Sequence, residues 1–299
     1  LRSLLEVRAM SWARVGIFLW EAARERGRLR SVSQTLQLPV LDSDALRRLQ
    51  ALKPDATTAF ILGTGASVAD LSDKTLDYIQ SQFSIGVNQW ILHPMVPDVY
   101  AYEVDPDVRL LQALDRPEVR KKSPYLLFLK PSRSKDFSNA SYLPDIMRER
   151  SFLYSRVNVW TRSAANIGRD FRGITRTISR RKNPDVLLDN GASIARMIAL
   201  CAVLGFRKMV LVGVDLNTVE YFWHRRPDYL RKLGIDSFGT AQKGKIHETL
   251  NAERRPFAID DFVVGLNLEI DNAELEVMIE SKRSLLAGHV PVFDESGIE

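Results

Sequence analysis

From Thr57 onward the chain repeats one pattern, in which a short apolar run is followed by a turn and then a stretch with helical spacing. Ala59–Leu62, Phe83–Val87, Val99–Tyr102, Tyr125–Leu129 and Met209–Val212 read as buried strands, while "SVADLSDKTLDYIQ" and "GASIARMIALCAVLGF" read as helices. Alternation in units of about 25 residues predicts an α/β fold with a mostly parallel, Rossmann-like sheet, because parallel neighbours need a crossover between them. With 299 residues the chain has ample length to bury such a core.

The domain so predicted spans residues 57–299, with residues 1–56 as a basic helical extension and linker. Residues 131–185 are rich in Ser, Arg and Asn and read as a basic insertion lining a site. A charged content of 26% and a hydrophobic content of 45% belong to a folded globular protein and exclude a disordered or fibrous one. Cys201 is the single cysteine, which excludes an intrachain disulfide framework and suggests a reducing compartment. No apolar run reaches the roughly 20 residues of a membrane span, so a cytoplasmic protein is expected.

The net charge of +5 is clustered. Arg2, Arg8, Arg14, Arg24, Arg26, Arg28 and Arg30 share residues 1–35 with Trp12, Phe18 and Trp20, a composition suited to peripheral contact with an anionic membrane face, or to packing on the domain or another subunit. Residues 162–182 form the second cluster. Basic and aromatic residues do not interleave beyond residues 1–35, which argues against a nucleic-acid partner.

The first strand runs into Gly63-Thr64-Gly65-Ala66-Ser67, where glycines permit a tight turn and Ser67 can cap a helix or bind an oxygen. A nucleotide phosphate is the expected ligand for such a turn. The dinucleotide fingerprint fails, because Val68 replaces the third glycine and Asn88 ends the next strand where an acidic residue would bind a ribose diol. No Gly-Lys-Ser/Thr follows, which excludes a P-loop. Asn88 suits a base or sugar without repelling a phosphate. A second constellation opens at Asn190-Gly191-Ala192-Ser193 and returns to a strand ending in Gly213-Val214-Asp215.

Together, "FILGTGASVADLS", "FSIGVNQW" and "GASIARMIALCAVLGFRKMVLVGVDLN" resemble the bacterial sialyltransferases of glycosyltransferase family 42 and the related hydroxymethylpterin diphosphokinase-like proteins of polysaccharide loci. The resemblance covers about residues 57–295. It implies a modified GT-A fold and an inverting, metal-independent transferase. Its donor would be a CMP-activated sugar acid, sialic acid-like or Kdo-like, and its acceptor a surface glycan or glycolipid. Carried over by position, it assigns Gly63, Thr64, Gly65, Ser67, Asn88, Glu103, Asn190, Gly191, Ser193 and Asp215 to the nucleotide, with Thr64 in place of the family's asparagine. It also makes His247 the general base and gives Tyr221 and Tyr229 to the leaving phosphate. Glu103 is acidic where the family has an amide, and the arginine that precedes the second helix start has no counterpart in "VLLDNG".

An imidazole with an ordinary pKa suits deprotonation of an acceptor hydroxyl. His247 is the first candidate and His224, beside Arg225 and Arg226, the second, while His93 and His289 read as structural. Asp105 and Asp107 in "VDPD" offer a competing reading as a carboxylate pair for Mg2+ or Mn2+; otherwise no metal or cofactor is expected. Two other functions remain open at this level, a pyrophosphate-transferring kinase and a non-enzymatic nucleotide-binding module.

Overall fold

The computed structural model describes residues 2–102, 110, 113–129, 145–158, 166–181, 184–239, 247–250, 258–267 and 275–294. Eight strands form one sheet: β1 (Thr58–Leu62), β2 (Phe83–Val87), β3 (Val99–Tyr102), β4 (Tyr125–Leu129), β5 (Ser151–Asn158), β6 (Val186–Asp189), β7 (Lys208–Val212) and β8 (Glu276–Ile279). Their order is β6-β5-β4-β3-β2-β1-β7-β8, and every described pairing is parallel.

Ten helices are described: α1 (Arg2–Leu36), α2 (Ser43–Gln50), α3 (Asp73–Ser81), α4 (Pro117–Lys122), α5 (Asp145–Glu149), α6 (Ile167–Arg181), α7 (Ser193–Leu204), α8 (Phe222–Arg225), α9 (Pro227–Lys232) and α10 (Ile259–Asn267). Both faces of the sheet are covered, which is why its strands are apolar along their length rather than alternating with polar residues. In β1, Ala59 and Ile61 enter the core shared with α1, α2, α6, α7 and α10, whereas Phe60 and Leu62 enter the core shared with α3, α8 and α9.

The five strands read from the sequence are present. The basic segment 131–185 is a correction: it supplies β5, which pairs with both β4 and β6, and α6, whose Phe171, Ile174 and Ile178 are buried in the core. Arg156 and Asn158 break the apolar run of β5, and the arginines on the outer face of α6 dominate its composition; both features hide core elements from a reading by composition.

The N-terminal segment is bound to the same core. Arg14 pairs with Asp170 at the start of α6, and Arg26 pairs with Asp185 just before β6. Pro39 and Leu41 exchange backbone hydrogen bonds with Leu153 of β5 at 2.8 Å, so the connection after α1 runs beside the sheet. Among the described residues, no helix is long and apolar enough to cross a membrane.

The order of connections sets the functional geometry. From β1 to β6 the chain adds each strand to the same edge, then α7 carries it back so that β7 lies on the other side of β1. The connections leaving β1 and β7 therefore run toward opposite edges of the sheet, and the crevice beyond their carboxyl ends is the position where open α/β sheets bind ligands.

Candidate active site

That crevice is a cavity of about 390 Å³. Its walls include Gly63, Thr64 and Gly65 after β1, Asn88 after β2, Gly191 and Ser193 at the start of α7, and Asp215 after β7, with Tyr221 and His247 at its rim. Nine of the residues assigned from the sequence thus meet in one place. Asn88, Gly191, Gly213 and Leu216 all have positive φ, so left-handed backbone is concentrated around the cavity. Such conformations persist where the surrounding structure holds them, and they gather at ligand sites.

The glycine turn works differently from the phosphate cradle expected of it. The Gly63 N–H donates to the Val212 carbonyl at 2.7 Å and the Gly65 N–H to the Gly213 carbonyl at 2.8 Å. These donors stitch the β1 turn to the β7 turn and are not available to a ligand. A Cβ on Gly65 would stand 2.5 Å from Asp215 Oδ2, and one on Gly63 2.7 Å from the Gly213 oxygen, so glycine here permits backbone-to-backbone packing. No α-helix follows directly either: Ala66–Asp70 is a 3-10 turn, and α3 starts later with Ser72 as its cap, accepting from the Thr75 N–H at 3.0 Å. Thr64 keeps its side chain at the cavity wall while its carbonyl accepts from the Phe222 N–H at 3.2 Å.

Asp215 is 5% exposed. Its Oδ2 accepts from the Ser67 N–H at 2.9 Å, and its Oδ1 is buried without a hydrogen-bond partner. Ser67 itself faces away from the cavity toward a second, charged depression lined by Asp70, Glu280, Lys282 and Arg283, and its Oγ is likewise buried without a partner.

The α7 wall is built on a buried ion pair. Arg196 and Asp189 are both fully buried and 3.0 Å apart. Burial pushes Asp189 above the usual carboxylate range, against the opposing pull of Arg156 and of the backbone N–H groups of Gly191 and Asn190 that it accepts. Arg196 also donates to Ser193 Oγ at 2.9 Å, and Ser193 Oγ donates to Asn88 Oδ1 at 3.3 Å. Asn190 lies beneath the cavity rather than on its wall, where its amide donates to the Ala258 carbonyl at 3.4 Å. Sequence reasoning passed over Arg196; its signal was a charged residue three positions into an otherwise apolar helix.

At the rim, the Nδ1 of His247 accepts from the Thr249 N–H at 3.3 Å and lies 2.7 Å from Thr249 Oγ1, and the His247 N–H donates to the Leu216 carbonyl at 3.3 Å. Tyr221 forms an isolated bridge with Gly65 and stacks on Trp223 at 4.6 Å. His224 does not line the cavity: its Nδ1 accepts from the Tyr221 N–H at 3.1 Å, a cap for the short α8, and burial lowers its pKa against the opposing effect of Glu220. Tyr229 is also elsewhere, packed against His93 at 5.1 Å and under the Arg226 guanidinium. His93 and Cys201 are core residues; burial lowers the His93 pKa to about 3 and raises that of the Cys201 thiol. Glu103, Asp105 and Asp107 lie outside the described residues. Among the described residues, no three His, Cys, Asp or Glu side chains are grouped to hold a metal ion.

No family model matches the chain, and no curated protein matches it. Among solved structures the chain is similar to the sialyltransferase CstII from Campylobacter jejuni in complex with a substrate analogue, CMP-3FNeuAc, at 11% identity over 79% of this chain and 86% of that one, with a TM-score of 0.41. It is also similar to the monofunctional alpha-2,3-sialyltransferase Cst-I from Campylobacter jejuni, at 12% identity over 80% of each chain, with a TM-score of 0.40.

Proposed function

We propose that the chain is a nucleotide-sugar-dependent glycosyltransferase whose donor occupies the cavity between the β1, β2 and β7 turns and the start of α7. The observation that carries this reading is the unpartnered Oδ1 of Asp215. A buried carboxylate oxygen without a donor is costly, and a ligand hydroxyl or amino group would supply that donor. Ribose, a sugar ring and a cytosine amino group all offer one. The opposite wall has the reverse character: Asn88, Ser193 and the start of α7 face the space where a phosphate would be stabilised by N–H donors. A ligand anionic at one end and rich in hydroxyl or amino donors at the other matches this polarity, and a nucleotide-sugar is such a ligand.

His247 is the group that would take the proton from the acceptor hydroxyl. Nδ1 accepts from the Thr249 N–H, so in the neutral ring Nδ1 is the unprotonated nitrogen and is the atom that would take the proton. The acceptor oxygen attacks the anomeric carbon, the bond from that carbon to the phosphate oxygen breaks, and the nucleotide leaves with the bonding electrons. The single displacement inverts the centre. Tyr221, on the same rim, is the phenol for the departing phosphate. A CMP-linked sugar acid and a glycan or glycolipid acceptor are the substrates that the sequence resemblance suggests for this scheme.

A thermal-shift screen of the wild-type protein against CMP, CDP, UDP, GDP, ATP and NAD, with and without EDTA, tests the donor class, because a ligand that binds only the native state raises its stability. Stabilisation by a cytidine nucleotide irrespective of EDTA is the expected result, and none by any of the six would overturn the reading. His247→Ala is expected to abolish transfer while retaining nucleotide binding.

A further inference from the structure

Among the described residues that line the cavity there is no lysine or arginine, while Asp215 and Glu220 both do line it. A phosphate entering this space would be favoured by a positive charge behind the wall. Among the described residues, Arg225 stands behind Glu220 at 3.0 Å, and the start of α7 is backed by Arg196, which donates to Ser193 Oγ at 2.9 Å.

Asp189 is shared by two guanidinium groups, the fully buried Arg196 at 3.0 Å and the solvent-exposed Arg156 at 2.9 Å. Removing an ion from water costs several kcal/mol even after pairing. Burial accordingly lowers the pKa of Arg196 to about 10, which leaves it protonated at neutral pH. An anion across Ser193 would lie within reach of the field of this buried guanidinium.

The hydrogen-bond directions agree. A guanidinium can only donate, so Ser193 Oγ accepts from Arg196 and its own proton is directed to Asn88 Oδ1. With Oδ1 so engaged, the NH2 donors are what the amide of this cavity-lining residue has left to offer a ligand. Asn88 has φ 50, a left-handed conformation that fixes where this amide begins.

We infer that Arg196 is the residue that makes the α7 wall an anion site, supplying positive charge through Ser193 and orienting Asn88 as a donor toward the phosphate of a bound nucleotide. It acts through other residues and is a positioning group. The inference rests on the nucleotide reading above and adds to it the place where the phosphate is held.

The test compares CMP with cytidine by calorimetry, because the ratio of their affinities reports the phosphate and is unaffected by a fraction of unfolded protein. Wild-type protein is expected to prefer CMP by on the order of tenfold or more, the scale of a unit charge a few ångströms away at intermediate dielectric. Arg196→Met is expected to remove most of that preference with cytidine affinity within about threefold of wild type. Arg196→Lys, which keeps the charge, should recover part of it. Asp189→Asn, which deletes the counter-charge, should preserve or increase the preference, whereas a purely structural ion pair would make this variant behave like Arg196→Met. Equal loss of both ligands in Arg196→Met, or an unchanged ratio, overturns the inference and leaves the nucleotide reading standing. Wild-type protein that binds both ligands equally does the same, and wild-type protein that binds neither overturns both.

Discussion

The backbone N–H of Ser67 and the Oδ2 of Asp215 meet at 2.9 Å, so the carboxylate that faces the cavity is gripped from the β1 turn while its other oxygen has no partner. The contact couples the two turns of the switch point: the residue that the proposed ligand would touch is held by Ser67, two positions after Gly65. On the proposed function the two Asp215 oxygens have separable roles, one structural and one for binding.

Asp215→Asn separates them. The amide oxygen can still accept from the Ser67 N–H, so the melting temperature should change little, whereas the replacement of a charged acceptor should weaken nucleotide binding by about tenfold. Asp215→Ala should do more, leaving the Ser67 N–H unpaired at a cost of about 1–3 kcal/mol. Urea denaturation and calorimetry on the two variants check this pattern; full nucleotide affinity in Asp215→Asn would remove Asp215 from the site.

Much of the fold could be read from the sequence, because buried parallel strands are continuous apolar runs and Phe60, Ile85 or Val210 can sit on either side of them without penalty. The return of α7 to place β7 beside β1 could not, since connection order depends on long-range pairing that no local spacing encodes. The candidate site was legible as residue types: Asn88, Ser193, Asp215 and His247 do meet. What each one does was not. Gly63 and Gly65 look alike in a phosphate loop and in a backbone-packing turn, and only the Val212 and Gly213 carbonyls distinguish the two. His224 beside two arginines looks like a catalytic group in sequence and is a helix cap in space.

Gly65→Ala should report on that packing role. Its Cβ would lie 2.5 Å from Asp215 Oδ2 and 2.7 Å from the Gly213 oxygen, and neither neighbour can move without breaking the turn. Overpacking of this kind costs about 1–3 kcal/mol and should displace Asp215, so loss of stability and loss of nucleotide binding are expected together. Gly205 is the control: it has φ +101 with nothing near a new Cβ, so Gly205→Ala should cost only about 1 kcal/mol of backbone strain and leave binding intact. A Gly65→Ala protein of wild-type stability would contradict the packing account.

On α1, Trp20 and Ile17 are 64% and 48% exposed, with the Arg24 guanidinium 5.6 Å from the Trp20 ring. The inward side of the same helix is tied to the domain by Arg14 to Asp170 and Arg26 to Asp185. Trp20→Ala should leave stability within about 0.5 kcal/mol, as for other surface substitutions. If this face meets an anionic bilayer, as the indole and the neighbouring arginines propose, the same variant should sediment less with vesicles of acidic lipid than the wild type does. Identical sedimentation of the two proteins would assign the exposed indole no part in membrane contact.

Acid should weaken the fold through His93. Its ring stacks on Trp90 at 4.4 Å and its Nδ1 accepts from the Met95 N–H at 3.1 Å, a bond that requires an unprotonated nitrogen. Burial first, then the nearby Arg116 and Arg226, lower its pKa from 6.5 to about 3. Between these values the unfolded chain binds a proton that the native protein does not, so stability is lost as pH falls through this window, by roughly 1.4 kcal/mol per pH unit for one proton. His93→Asn keeps an acceptor for the Met95 N–H and cannot be protonated. The variant should be less stable than wild type at pH 7.5, about one unit above the ordinary histidine pKa, because the smaller side chain leaves a void. Its disadvantage should shrink steadily at about pH 5.5 and 4.5, where only the wild type bears the linkage cost. Urea midpoints at the three pH values measure the difference directly, and a gap that stays constant with pH would show that His93 does not set the acid limb of stability.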